Sequence, residues 1–266
     1  MRSIVKIILH IILFIILTAV TQIGGIVYLF SRLLIIKWKR SFRFKSAFTF
    51  LSLYLISTLI IIPFIAPVFV REKIKNTDFI NPTNYTTVIL NRNYVKPEIN
   101  HLLQQVEKKL KGTGIEIHYL DANFPFIDKF PLLPHLSHSD GKKLDLSLIY
   151  ETKKGEISTK QKSISGYGVF ENPKANEIDQ IDICLNKGYF QYDYPKYVTF
   201  GSINKELVFS EKGTKKLIQS ILLQKQLGKI FIEPHLKKRL NLNNDKVRYH
   251  GCKAVRHDDH IHIQLK

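Results

Sequence analysis

The chain has 266 residues, with 40 Lys and Arg against 22 Asp and Glu, a formal net charge of +18, and only two cysteines. It shows no internal repeat or low-complexity tail, and neither cysteine has another at ligand spacing, which excludes a repeat array and a zinc thiolate site. The basic balance suits a solvated Lys-rich surface or attraction to anionic envelope polymers and lipid, and no nucleic-acid-reading motif accompanies it, so nucleic acid is not expected as a partner.

Residues 1–70 contain no Asp or Glu and hold two apolar segments, Ile7 to about Phe30 and Ala47 to about Val70. Each is long enough for the roughly 20 helical residues that cross a hydrocarbon core of about 30 Å, so two transmembrane helices are expected. Between them, Lys37-Trp38-Lys39-Arg40-Ser41-Phe42-Arg43-Phe44-Lys45 carries five basic residues. The positive-inside rule makes this loop cytoplasmic, and two spans then put both termini on the far side. Arg2 and Lys6 also suit a cleaved signal peptide, but the apolar run is long for one and cleavage would leave the most basic loop outside. The expectation is a membrane anchor over residues 1–70, with lipid as its partner, set in the cytoplasmic (inner) membrane with the rest of the chain extracytoplasmic. Eight basic residues lie in the anchor, leaving about +10 on the remainder.

Residues 71–95 read as a polar linker and domain entry, and 96–266 as one domain able to bury a single core. Lys96 to Leu110 has helical periodicity, ended by Gly112 and Gly114. Ile115 to Leu120 alternates as a strand, and Phe124 to Pro134 forms an aromatic, proline-rich loop in which Phe124, Phe126 and Phe130 read as packing. His135 to Gly141 continues as a polar loop and turn. Leu144 to Tyr150 reads as a strand with Leu144, Leu146 and Leu148 on one face and Asp145 and Ser147 on the other. Tyr167, within Ser165-Gly166-Tyr167-Gly168, could contact a substrate but receives no assignment. Gly213 to Leu227 reads as a helix ended by Gly228, with Ile230–Ile232 and Lys246–Tyr249 as short strands. Cys184 and Cys252 can pair in an oxidising compartment or stay as two buried thiols. The class expected is α+β, a mainly antiparallel sheet with flanking helices.

The chain ends in His257-Asp258-Asp259-His260-Ile261-His262-Ile263-Gln264-Leu265, where imidazole alternates with aliphatic side chains at a strand's period. His260, His262 and Gln264 share one face, and Ile261, Ile263 and Leu265 share the other. A strand of this kind can lie beside the one starting near Asp145. His138, Asp145 and one terminal histidine then supply two nitrogens and an oxygen, the ligand count of a catalytic zinc with one position left for water. Extending the alternation backwards puts Asp258 on the histidine face, where it could hydrogen-bond an imidazole. His135 sits three residues before His138, but no helix aligns the two as ligands.

His138-x6-Asp145 followed by His260-x-His262 resembles the LAS group of zinc metallopeptidases. Ser137-His138, Gly141, Asp145 and His257-Asp258-Asp259-His260-Ile261-His262 are most similar to its penicillin-insensitive murein endopeptidase branch. The resemblance covers two short windows. Leu136 stands where the broader group often has serine, as also occurs in the endopeptidase branch, and Lys143 stands where a small residue is common.

The resemblance implies that His138, Asp145 and His262 bind Zn2+ and that His260 is the catalytic histidine. It implies an enzyme, a zinc-dependent peptidase acting on an amide bond in a peptidoglycan peptide substrate. The alternative is a zinc-bound, non-hydrolytic domain that recognises a cell-envelope ligand.

Overall fold

The computed structural model describes residues 2–37 and 43–266, so Trp38 to Phe42 of the basic loop lie outside the described residues. In chain order the elements are α1 (Arg2–Thr21), α2 (Gly24–Lys37), α3 (Lys45–Ile56), α4 (Ile62–Ile65), β1 (Glu72–Lys73), β2 (Ile80–Pro82), α5 (Thr86–Ile89), β3 (Tyr94–Val95), α6 (Pro97–Leu110), β4 (Ile117–Tyr119) and β5 (Lys143–Ser147). They continue with β6 (Tyr150–Glu151), β7 (Ile157–Ser158), α7 (Gln180–Asn186), β8 (Val208–Phe209), α8 (Glu211–Leu222), β9 (Leu227–Phe231), α9 (Pro234–Arg239), β10 (Val247–Arg248) and β11 (His260–Leu265). The chain is α+β, and it divides into two compact units.

The first unit comprises residues 1–74, 86–97 and 122–141. Two of its helices are long and apolar enough to cross a membrane, Ile4–Thr21 and Lys45–Phe69; the second runs from α3 through a π-helical turn at Ser57–Ile61 and α4. The first apolar segment is not one helix, as expected over Ile7–Phe30, because it breaks at Gln22, whose φ is 66°. The Thr21 hydroxyl accepts a hydrogen bond from Gly24 N at 2.8 Å, starting α2 afresh. Gly25 lets α2 fold back on α1, since a Cβ there would lie 2.0 Å from Thr18 Oγ1. The Gly24-Gly25 pair is the sequence signal for this break.

Residues 86–97 and 122–141 pack against these helices. Tyr54 OH donates to Ile89 O at 2.7 Å, and Phe126 N donates to Gln22 Oε1 at 3.0 Å. Phe126 also lies 5.1 Å, ring to ring, from Phe69 and packs on a core of Ile23, Val27, Tyr54, Ile62, Ala66 and Tyr94. The expectation that Phe126 is a packing residue agrees with this.

The second unit comprises residues 75–85, 98–121 and 142–266. Its six-stranded sheet has the order β10-β9-β11-β5-β4-β2. The central pairs β9–β11, β11–β5 and β5–β4 are antiparallel, but both edge pairs, β10–β9 and β2–β4, are parallel, so the sheet is mixed. Parallel neighbours need long crossovers, which alternation within single strands does not report.

Helix α6 buries Ile99, Leu102, Leu103, Val106 and Leu110 at spacings of three and four residues, the stripe its sequence foreshadowed. Helix α8 is capped by Ser210, which accepts from Gly213 N at 3.2 Å, and ends at Leu222 rather than running to Leu227. Gly228 does not terminate a helix but lies within β9. A Cβ there would come within 2.8 Å of Leu265 O, so only glycine permits that close approach of backbone. The strand expected over Leu144–Tyr150 divides: β5 stays in the large sheet, while Tyr150 begins β6 of a separate three-stranded sheet, β7-β6-β8.

Candidate metal centre

Strands β5 and β11 pair antiparallel with His262 opposite Asp145 and His260 opposite Ser147. Leu144, Leu146, Ile261 and Ile263 on the other face are fully buried. Hydrophobic burial on that face thus sets the register, since a slip of β11 by one residue would turn Ile261 and Ile263 out of the core and His262 away from Asp145. His262 Nδ1 lies 2.8 Å from Asp145 Oδ1, although 117 residues separate the two in sequence.

His138 is buried on its loop, where its Nδ1 lies 2.8 Å from Ala122 O. His138, Asp145 and His262 each offer one ligand atom, and these atoms all lie within 4.8 Å of one another. Two imidazole nitrogens and one carboxylate oxygen make a group that could hold a metal ion. His135 does not belong to it; its ring lies 5.8 Å from that of His138.

His260 stands beside this group and outside it. Its Nδ1 lies 2.5 Å from Asp259 Oδ1, and its Nε2 lies 3.8 Å from Asp145 Oδ2. Burial lowers its pKa, but Asp145 and Asp259 outweigh that and push it up to about 9. The carboxylate that holds His260 is therefore Asp259, not the Asp258 expected from alternation. Asp258 and Asp259 lie in a bend before β11 begins, so the two-residue period does not extend to them. Asp258 instead takes a two-pronged hydrogen bond from Arg256, at 2.7 Å from Nε and 2.5 Å from the terminal nitrogen.

Tyr167, which the sequence left without a role, donates its hydroxyl to Asp145 Oδ2 at 2.8 Å and accepts from Asp121 N at 3.1 Å. Burial and the neighbouring Asp121 and Asp145 raise its pKa well above the usual value, so it stays a neutral donor. Gly168 N donates to Asp259 Oδ2 at 2.7 Å. The loop from Ser163 to Gly168 thereby touches both carboxylates of the centre, and its glycine-rich composition was the only sequence signal for it.

Two more histidines lie close. The His257 ring is 4.9 Å from that of His260, and the His250 ring stacks 6.1 Å from that of His262. Burial and the other imidazoles hold His257 well below its ordinary value, which keeps it neutral.

Behind them Glu233 takes hydrogen bonds from Tyr192 OH at 2.6 Å and His257 N at 2.8 Å. Burial, the dominant influence, pushes the Glu233 carboxyl up from 4.5 to about 7. A raised carboxyl means that the folded state binds the proton more tightly. Its contribution is fullest below about 4.5 and is lost as pH rises through about 7. Glu233→Gln keeps an acceptor oxygen for His257 N and carries no titrating proton, so it is expected to stabilise the protein relative to wild type more at pH 8 than at pH 4.5. Thermal midpoints at the two pH values check this, and a pH-independent difference would refute it.

Cys184 and Cys252 form a disulfide, which resolves the two alternatives open at the sequence level. No protein-family model matches the chain, and no curated protein matches it.

Proposed function

We propose that the chain is a membrane-anchored zinc peptidase that hydrolyses an amide bond in peptidoglycan peptides, with its catalytic domain outside the cytoplasmic membrane. One observation carries this reading: a buried His138–Asp145–His262 donor set with a separate histidine, His260, held beside it by its own carboxylate. Two histidines and one carboxylate are the protein ligands of a catalytic zinc that keeps a position open. Zinc bound there would lower the pKa of a water toward about 7 and polarise an amide carbonyl.

The other steps belong to the chain's own residues. Asp259 fixes His260 through Nδ1, leaving Nε2 to take a proton from the attacking water and deliver it to the departing amine. With the Asp145 charge neutralised by a cation, the attraction that raises His260 weakens, and the imidazole returns toward the range where it exchanges protons near neutral pH. Tyr167 orients Asp145 from behind through Oδ2. The choice of peptidoglycan rests on the resemblance of the two motifs to murein endopeptidases.

The membrane placement draws on the two long apolar helices and on where the basic residues fall. Because α2 folds back on α1, the basic start of α1 lies toward the same end as the close of α2 and the start of α3, where an Arg32 guanidinium nitrogen donates to Ser46 Oγ at 3.3 Å. The positive-inside rule puts that end in the cytoplasm, so the N-terminus belongs there rather than outside, and the helix to Phe69 leads the chain outward. The Cys184–Cys252 disulfide suits an oxidising compartment.

Full-length protein in detergent, loaded with zinc, is expected to release peptide fragments from purified peptidoglycan, and chelation to stop the release until zinc is restored. Zinc binding without any fragments would refute the peptidase reading in favour of a non-hydrolytic domain that recognises an envelope ligand.

A further inference from the structure

Arg71 lies two residues beyond the long apolar helix Lys45–Phe69 and is only 3 % exposed. A basic residue just past such a helix ordinarily extends its charge into water or lipid head groups. Arg71 instead turns inward, toward the loop of residues 122–141 that bears His138. Its guanidinium donates to Asp128 Oδ1 and lies against the backbone at Gly141, where a Cβ would come 2.5 Å from Arg71 Nε.

Both grips lead to His138 by short paths. Lys129 N, next to Asp128, donates to Ser139 O at 2.7 Å, and Ser139 follows His138. Gly141 N donates to Asn123 Oδ1 at 3.0 Å, and Ala122, beside Asn123, offers the carbonyl that lies 2.8 Å from His138 Nδ1. A carbonyl only accepts, so the Nδ1 proton points at Ala122 and Nε2 is the nitrogen left for a metal. The chain after Arg71 closes the same frame: Glu72 pairs with Val95 between β1 and β3, and Lys96 N donates to Gly141 O at 2.8 Å.

We propose that Arg71 is a positioning residue for the metal centre: by holding the loop at Asp128 and Gly141 it sets where the His138 ring stands, so the end of the membrane anchor is a working part of the site. The proposal rests on the metal centre of the reading above and identifies what holds one of its ligands in place. An anchor that only retained a domain would join it through an exposed linker with few contacts. Residues 71–74 are the opposite, with Arg71 and Ile74 both buried. The Asp128 side chain is 62 % exposed, so the ion pair adds little stability, and stability alone is a poor account of a buried guanidinium.

The test titrates full-length protein in detergent with zinc against a competing chelator, for wild type, Arg71→Ala, Asp128→Asn, His138→Ala and the double variant Arg71→Ala/His138→Ala. Arg71→Ala is expected to weaken zinc about tenfold to a hundredfold, the range for removing a group that orients a metal ligand. Asp128→Asn removes one of the two grips at an exposed site and is expected to weaken zinc less. In the His138→Ala background, Arg71→Ala is expected to cost nothing further, because a residue that acts through His138 has nothing left to position. Unchanged affinity in Arg71→Ala, or in Asp128→Asn where Arg71→Ala does not fold, would overturn the proposal while leaving the peptidase reading intact if fragments are still released. A loss that persists at full size without His138 would overturn it too, as the mark of a general folding defect. Zinc binding that depends on Arg71, with no fragment release from peptidoglycan by any form, would uphold the proposal and refute the peptidase.

Discussion

His260→Ala is expected to keep its metal and lose hydrolysis, whereas His262→Ala loses both. The difference follows from position on one strand: His262 faces Asp145 across the β5–β11 pair and is one of the three residues that could hold a metal ion, while His260 is held by Asp259 outside that group. Removing a general acid–base group costs roughly 10²–10⁴ in rate, so the loss of kcat should be of that size with zinc stoichiometry unchanged. Because His260→Ala leaves the buried Asp259 without this partner, His260→Gln, which keeps a donor near it, guards against a folding defect. Zinc content by elemental analysis and fragment release from peptidoglycan read the two effects separately. Metal loss in His260→Ala or His260→Gln, or metal retention in His262→Ala, would reverse the assignment.

Reduction of the Cys184–Cys252 disulfide, or its replacement by two serines, is expected to be the largest single loss of stability in the second unit. The bond closes a loop with a sequence separation of 68, for which loop-closure entropy gives about 4 kcal/mol. It also anchors α7 against the segment before β11: the sulfurs contact Tyr249 OH, and Ile181, Cys184 and Tyr192 form a small buried cluster. Tyr192 in turn bonds Glu233, which holds His257 N, so the effect should extend to the histidine cluster. Urea unfolding with and without reductant checks the prediction; a shift well under 1 kcal/mol would mean that the reduced chain keeps the loop closed by other contacts.

The alternation in β5 and β11 was legible because period-two patterning is local, and burying Leu144, Leu146, Ile261 and Ile263 on one side leaves Asp145, His260 and His262 on the other. Helix α6 was legible for the same reason at period 3.6. Where local rules were pushed past their range they failed. Asp258 was chosen by extending a strand's period into a bend, and Gly228 was read as a helix end although it serves a close strand–strand approach. The run Ile7–Phe30 looked uniform by hydropathy, which does not register a hydroxyl capping a new helix or a glycine pair letting two helices touch.

By itself, then, the sequence determined which side chains share a face, which stretches are apolar enough to span a bilayer, and the two short windows that carry the metal-ligand residue types. Tertiary structure alone decided that Asp259 rather than Asp258 holds His260, that Tyr167 backs Asp145, that the sheet is parallel at both edges, and that Cys184 meets Cys252. The physical reason is separation along the chain. A face is set by backbone geometry over a few residues, whereas the hydrogen bond between His262 and Asp145 joins positions 117 apart, and only the packing of the whole unit brings such positions together.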